Sequence, residues 1–264
     1  MKYSKISFHP KLAAFLDAII NIVLILILPK ITVGWYLLIW LGFRTIIWAL
    51  LVRVVYYPKD VGRWRHFFSL VSFAAGMLCI LIFMEWAWSW YIMSALFVIF
   101  PFVSFYLIPA QDSKLPFLFK PQRRWIFLMN IIGLGGIWTG LNAIISLQFF
   151  YNINSVVWLI IGSVLSTIMA IWWLLEYSIP FNKKIIIWTA ALLVITLEFS
   201  WVIYLLPVGY YVSSLLLIWI WYSLWLIIRF HLSAEGVYWK KQTTFLILNL
   251  VTLFLFLGLV VRWK

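Results

Sequence analysis

Polar positions are so sparse along this chain that it reads as apolar runs cut by short punctuation. The runs fall at about residues 12–29, 31–52, 67–84, 86–108, 125–147, 156–175, 185–206, 210–228 and 243–261. Most approach the ~20 residues a helix needs to cross the hydrocarbon of a bilayer. None shows the short alternating segments of a transmembrane barrel. The pattern predicts an all-α polytopic bundle of about nine spans, a single integral membrane domain over residues 1–264 with no soluble domain.

The punctuation alternates in kind. Some breaks are minimal, at Lys30, at Glu85, at Asn152 and Asn154, and at Pro207 and Gly209. The others are longer and basic. They carry Arg53, Lys59, Arg63 and Arg65, then Lys114, Lys120, Arg123 and Arg124, then Lys183 and Lys184, then Arg229, Lys240 and Lys241. Nine spans place all of these on the same side as Lys2, Lys5 and Lys11, leaving only Lys30, Arg262 and Lys264 opposite. Positive charge is retained on the cytoplasmic side, so the N-terminus is expected inside and the C-terminus outside. The stretch at residues 197–211, LEFSWVIYLLPVGYY, shows the unit in small: an apolar run, a minimal outer turn, and the next run.

Composition agrees. Of 264 residues, 66% are hydrophobic and 10% charged, whereas a soluble domain carries about a quarter charged residues. The net charge of +13 does not indicate nucleic acid, because the basic residues follow the topology. They do suit anionic lipid headgroups at the inner loops, notably at Arg63-Trp64-Arg65-His66 and Arg123-Arg124-Trp125. The first run has basic residues before it, as a secretory signal does, but it ends in Leu28-Pro29-Lys30 without a small-residue cleavage site and reads as an uncleaved span. The lone Cys79 cannot form an internal disulfide. Of the 19 tryptophans, many fall near span ends, among them Trp86, Trp88, Trp125, Trp138, Trp201 and Trp239. Interfacial belts and packing account for them; aromatic binding sites are the alternative.

Ionisable groups inside a membrane are costly and are the first functional suspects. Three occur, Asp17, Arg44 and Glu198. At 1.5 Å per residue, Asp17 lies roughly 8 Å and Arg44 roughly 12 Å from the inner edge of two consecutive antiparallel spans. The two can meet, with Asn21 one turn from Asp17 on the same face. Such a pair is either structural, letting two spans recognise each other, or an ion or substrate site. Glu198 has no Lys or Arg at its depth. It is expected to be protonated or hydrogen-bonded to Tyr204, Tyr210 or Tyr211, as a structural acid or as a proton or cation acceptor.

Uncharged polar residues form a stripe in the fifth run, Gly135, Thr139, Asn142 and Ser146, beside a Gly136-x-x-x-Gly140 motif. The sixth run offers Gly162, Ser163, Ser166, Thr167 and Ala170, and the third Ser69, Ser72 and Gly76. Small residues admit close helix approach and hydroxyls bond across it; a permeation path is the alternative. Asn130 and Asn249 read as interhelical amides. His9, His66 and His231 sit at the inner interface without metal-ligand spacing, and no nucleotide, serine-hydrolase or zinc motif occurs. No catalytic residue, cofactor or metal site is expected.

The C-terminal third, from Glu198 through Trp201, Pro207, Gly209-Tyr210-Tyr211, Tyr222, Trp225, Arg229 and His231 to Arg262-Trp263, resembles an uncharacterised family of polytopic membrane proteins from small-genome bacteria of candidate phyla. The resemblance implies a bacterial cytoplasmic membrane and no particular activity. The expected function is non-enzymatic: small-molecule or ion binding and transport, or an accessory subunit with membrane protein partners. Transport predicts a cavity shared by Glu198 and the fifth-run stripe; a subunit or scaffold predicts polar residues closed into helix contacts. The other class is a membrane enzyme acting on a lipid or polyprenyl substrate, which needs carboxylates or histidines converging at one interface.

Overall fold

The computed structural model describes residues 9–31, 34–56, 62–108, 121–148, 150, 152–177, 179, 181–232 and 239–260. Among them are nine α-helices and no strand. These are α1 (Pro10–Ile27), α2 (Trp35–Val55), α3 (Gly62–Phe83), α4 (Ala87–Tyr106), α5 (Pro121–Ser146), α6 (Ser155–Glu176), α7 (Lys183–Tyr204), α8 (Tyr210–Leu232) and α9 (Trp239–Leu255). A 3₁₀ turn, Leu28–Lys30, follows α1, and a π-helical turn, Phe256–Val260, follows α9. The first eight are long and apolar enough to cross a membrane. The ninth, α9, has 17 residues and runs on directly into the π-helical turn; its apolar stretch, Thr243–Gly258, is shorter than the other eight. The protein is thus a helical bundle with the architecture of a multi-pass membrane protein.

Two helices begin earlier than hydropathy suggests. α3 starts at Gly62, so Arg63, Trp64, Arg65 and His66 are helical, and α5 starts at Pro121, which takes in Arg123 and Arg124. Hydropathy marks where the hydrocarbon begins, not where backbone hydrogen bonding begins. The basic segments run on as helix toward the headgroups, where long cationic side chains reach water. Lys2, Lys5, Lys59, Lys114, Lys120, Arg262, Trp263 and Lys264 lie outside the described residues, as do the side chains of Trp239, Lys240 and Lys241.

Local signals explain the helix ends. Pro10 opens α1 in its first turn, where its missing N–H costs nothing. Asn154 and Asn182 cap α6 and α7, their side-chain oxygens accepting from Val156 N (2.9 Å) and Ile185 N (3.0 Å).

The chain forms two compact units, Met1–Gly136 and Ile137–Lys264. In the first, α1 packs on α4 and α2, and α3 on α2 and α4. Its interior is aromatic, with Trp40, Trp48, Phe73, Phe97 and Phe105 buried. Here α3 and the first part of α5 touch backbone to backbone. A Cβ on Gly76 would meet the Gly133 carbonyl oxygen, and one on Gly136 the Gly76 carbonyl oxygen, both nearer than van der Waals contact allows. Gly133 and Gly136 both make this contact on Gly76. In the second unit α6, α7 and α8 pack on one another. The rings of Trp173, Trp221 and Trp225 meet edge to face.

The tryptophans divide accordingly. Trp86, Trp88 and Trp201 are exposed near helix ends, as an interfacial belt requires. Trp138 does not belong to that set. It is fully buried in the second half of α5, donates to Ser166 Oγ at 2.9 Å, and lies against Gly162.

Candidate functional site

Three polar constellations stand out, two closed and one open. The first joins α1 and α2. Asp17, Asn21 and Arg44 are completely buried. One Asp17 oxygen, Oδ1, accepts from the Arg44 guanidinium and from Trp48 Nε1 (2.8 Å); the other accepts from Asn21 Nδ2 (2.9 Å). The Arg44 guanidinium carbon lies 3.9 Å from the centre of a Trp48 ring. The spacing follows from helix periodicity: Asp17 and Asn21 are one turn apart on α1, Arg44 and Trp48 one turn apart on α2. Three side chains from two helices, Asn21, Arg44 and Trp48, thus enclose the Asp17 carboxylate. Arg44 Nε and Nη1 and Asn21 Oδ1 have no hydrogen-bond partner among the described residues. Trp48 is the member that sequence reasoning missed, although it stands one turn from Arg44.

The second constellation lies where α3, α4 and the start of α5 meet. His66 is fully buried and uses both ring nitrogens, Nε2 to Ser104 Oγ at 2.8 Å and Nδ1 to Tyr56 Oη at 3.3 Å. Ser104 gives its one proton to the Pro101 carbonyl at 2.7 Å. His66 Nε2 must therefore donate to Ser104, and Nδ1 accept from Tyr56. Tyr56 in turn accepts from Gln122 Nε2 at 2.7 Å. A serine beside a histidine invites a nucleophilic reading, but the Ser104 proton points away from His66 and both residues are fully buried. This is a packing network. His66 reads from sequence as an interfacial histidine because its partners come from distant segments.

The third is Glu198, and it is open. The buried face of α7 carries Leu192, Thr196, Ser200 and Ile203. Glu198 falls between Thr196 and Ser200, about 200° around the helix from either, and is exposed. Among the described residues it makes no hydrogen bond or ion pair. Tyr204 is 41% exposed one turn or more beyond it. Tyr210 and Tyr211 open α8 with rings 4.6 Å apart, and no bond joins any of the three tyrosines to Glu198. Val194, Trp201, Val202 and Leu205 share its exposed side of the helix. The face is apolar except at Glu198, roughly 9 Å from the end of α7 by the helical rise. Thr189, Thr196 and Ser200 are buried and mark the side of α7 turned away from Glu198.

The α5 stripe is largely closed. Thr139 and Asn142 are buried, Asn142 Nδ2 donating to Ser214 Oγ of α8 at 2.9 Å, while Ser146 is exposed at the helix end. Asn130 donates to Ser69 at 3.1 Å, and Asn249 accepts from Trp219 at 3.1 Å. Among the described residues no three His, Cys, Asp or Glu side chains cluster as metal ligands. No family model, curated protein or solved structure matches this chain.

Proposed function

We propose that this protein is a non-enzymatic accessory subunit of a membrane complex, and that the Glu198 face of α7 binds a transmembrane helix of its partner. The observation that carries this reading is the exposed Glu198 carboxyl well inside an apolar helix. A carboxyl group turned to lipid costs about 2 kcal/mol or more even when a bilayer adapts to it. A partner helix that presents a hydrogen-bond donor at the same depth removes that cost, and polar side chains hold helices together in this way. The surrounding Val194, Trp201 and Val202 supply the apolar contact.

The closed state of the other polar groups supports the same reading over transport. The stripe residues Thr139 and Asn142 are buried in helix contacts rather than lining a space shared with Glu198. The charge asymmetry favours the outer half of the bilayer for the exposed carboxyl, and the resemblance noted above suits a bacterial cytoplasmic membrane.

Site-specific photo-cross-linking in native membranes tests the proposal. A photoreactive residue at position 194, 201 or 202 is expected to give adducts with one other membrane protein. The same residue at position 192 or 196, on the buried face, is expected to give none. Lipid adducts alone at all positions, or adducts of the chain with itself, would contradict it.

A further inference from the structure

A cleft of about 600 Å³ opens beside the α1–α2 turn. Its floor is Leu24 and Trp40, 7% and 4% exposed, tied together by the Trp40 Nε1 bond to the Leu24 carbonyl at 3.2 Å. Its walls are Ile27, Ile39 and Phe43, which remain half exposed, and its rim carries Lys30 and Tyr36. The volume is in the range of sites that enclose a small-molecule ligand. From the start of α2 to Phe43 the cleft runs about 12 Å along the helix, into the depth of the hydrocarbon.

The chemistry of the lining is one-sided. Lys30 is exposed, no carboxylate lines the cleft, and Lys30 has no ion-pair partner among the described residues. Asp17, the nearest acid along α1, is fully engaged by Arg44, Trp48 and Asn21. The cleft therefore offers a cation at the headgroup level above a hydrocarbon-lined slot. We infer that it binds one anionic phospholipid, the phosphate at Lys30 and one acyl chain along Ile27, Ile39 and Phe43. A zwitterionic lipid gains the same apolar contact but brings its own positive charge to Lys30. A soluble anion gains Lys30 but leaves the slot unfilled. The inference is independent of the partner face on α7, since it uses other helices and a different ligand.

A photoactivatable phosphatidylglycerol with a diazirine in its acyl chain tests it, used on the full-length protein in nanodiscs with adducts mapped by peptide mass spectrometry. Labelling is expected to concentrate on residues 22–43. Lys30→Gln is expected to lower it about fivefold, the factor for one lysine near a membrane surface. Ile39→Trp, at an exposed wall position that tolerates bulk, is expected to block it. The matching phosphatidylcholine probe is expected to label this segment no more than the other lipid-facing helices. Excess inorganic phosphate is expected to leave the labelling unchanged. Labelling insensitive to Lys30→Gln and Ile39→Trp, equal labelling by phosphatidylcholine, or displacement by inorganic phosphate would overturn the inference.

Discussion

Trp48 Nε1 donates to the same Asp17 oxygen that receives the Arg44 guanidinium, so one carboxylate oxygen ties α1 to α2 twice. The pair is also stacked, Arg44 over Trp48 at 3.9 Å. Two helices with otherwise apolar surfaces gain from this a contact that works in one register only. In hydrocarbon, dispersion alone discriminates poorly between registers of Leu- and Ile-rich helices.

Asp17→Ala and Arg44→Ala are each expected to destabilise the protein by about 3–5 kcal/mol, because each leaves a buried charge uncompensated. The double variant is expected to be no worse than either single one. Thermal unfolding in detergent of the two singles and the double measures the coupling. Additive losses would mean that the two groups act separately. Trp48→Phe, which removes one donor and keeps a ring, is expected to cost about 1–3 kcal/mol.

The His66 network makes a separate prediction. His66→Phe keeps the ring contact with Phe105 (centroids 4.6 Å apart) but removes one hydrogen bond each from Ser104 and Tyr56, and is expected to cost about 1–3 kcal/mol. Adding Gln122→Leu to His66→Phe is expected to cost less than the two separate losses combined, because the residues share Tyr56. The same unfolding assay reads both.

Glycine substitutions should separate by location. Gly76→Ala drives a Cβ into the Gly133 backbone, where no side chain can yield. It is expected to cost about 3 kcal/mol, the upper part of the usual overpacking range. Gly42→Ala, with nothing within 4 Å of the added methyl, is expected to be neutral or to stabilise by up to about 1 kcal/mol through helix propensity. Expression level and melting temperature of the two variants check the contrast.

The helical class and the eight long spans were legible because bilayer thickness fixes the length of an apolar run, and hydropathy measures that length directly. The proximity of Asp17 and Arg44 was within reach for a similar reason: in a short hairpin, depth in one span determines what it faces in the next. Three features needed the packing. Trp138 lies inside α5, yet a tryptophan in an apolar sequence carries no mark of whether it faces lipid or a glycine such as Gly162. Gly133 shares the contact on Gly76 with Gly136, and which of four nearby glycines in α5 touches a neighbour depends on helix rotation. The His66 partners come from Tyr56, Ser104 and Gln122, segments whose meeting no spacing rule encodes. Glu198 lay between the two cases. Its isolation from basic residues was visible, and its outward direction followed from the hydroxyls around it only once those were seen to be buried.

The central claim is that a partner helix covers Glu198, and the size of the complex in native membranes tests it most directly. Wild-type protein, Glu198→Gln and Glu198→Leu are to be extracted in mild detergent and resolved on native gels, with melting temperature measured on each purified chain. Because Glu198 is exposed and makes no hydrogen bond or ion pair among the described residues, all three are expected to melt alike. Wild type and Glu198→Gln, which keeps a hydrogen-bonding head, are expected to migrate as a hetero-complex larger than the free chain, and Glu198→Leu as the free chain. Identical migration of all three would contradict the account.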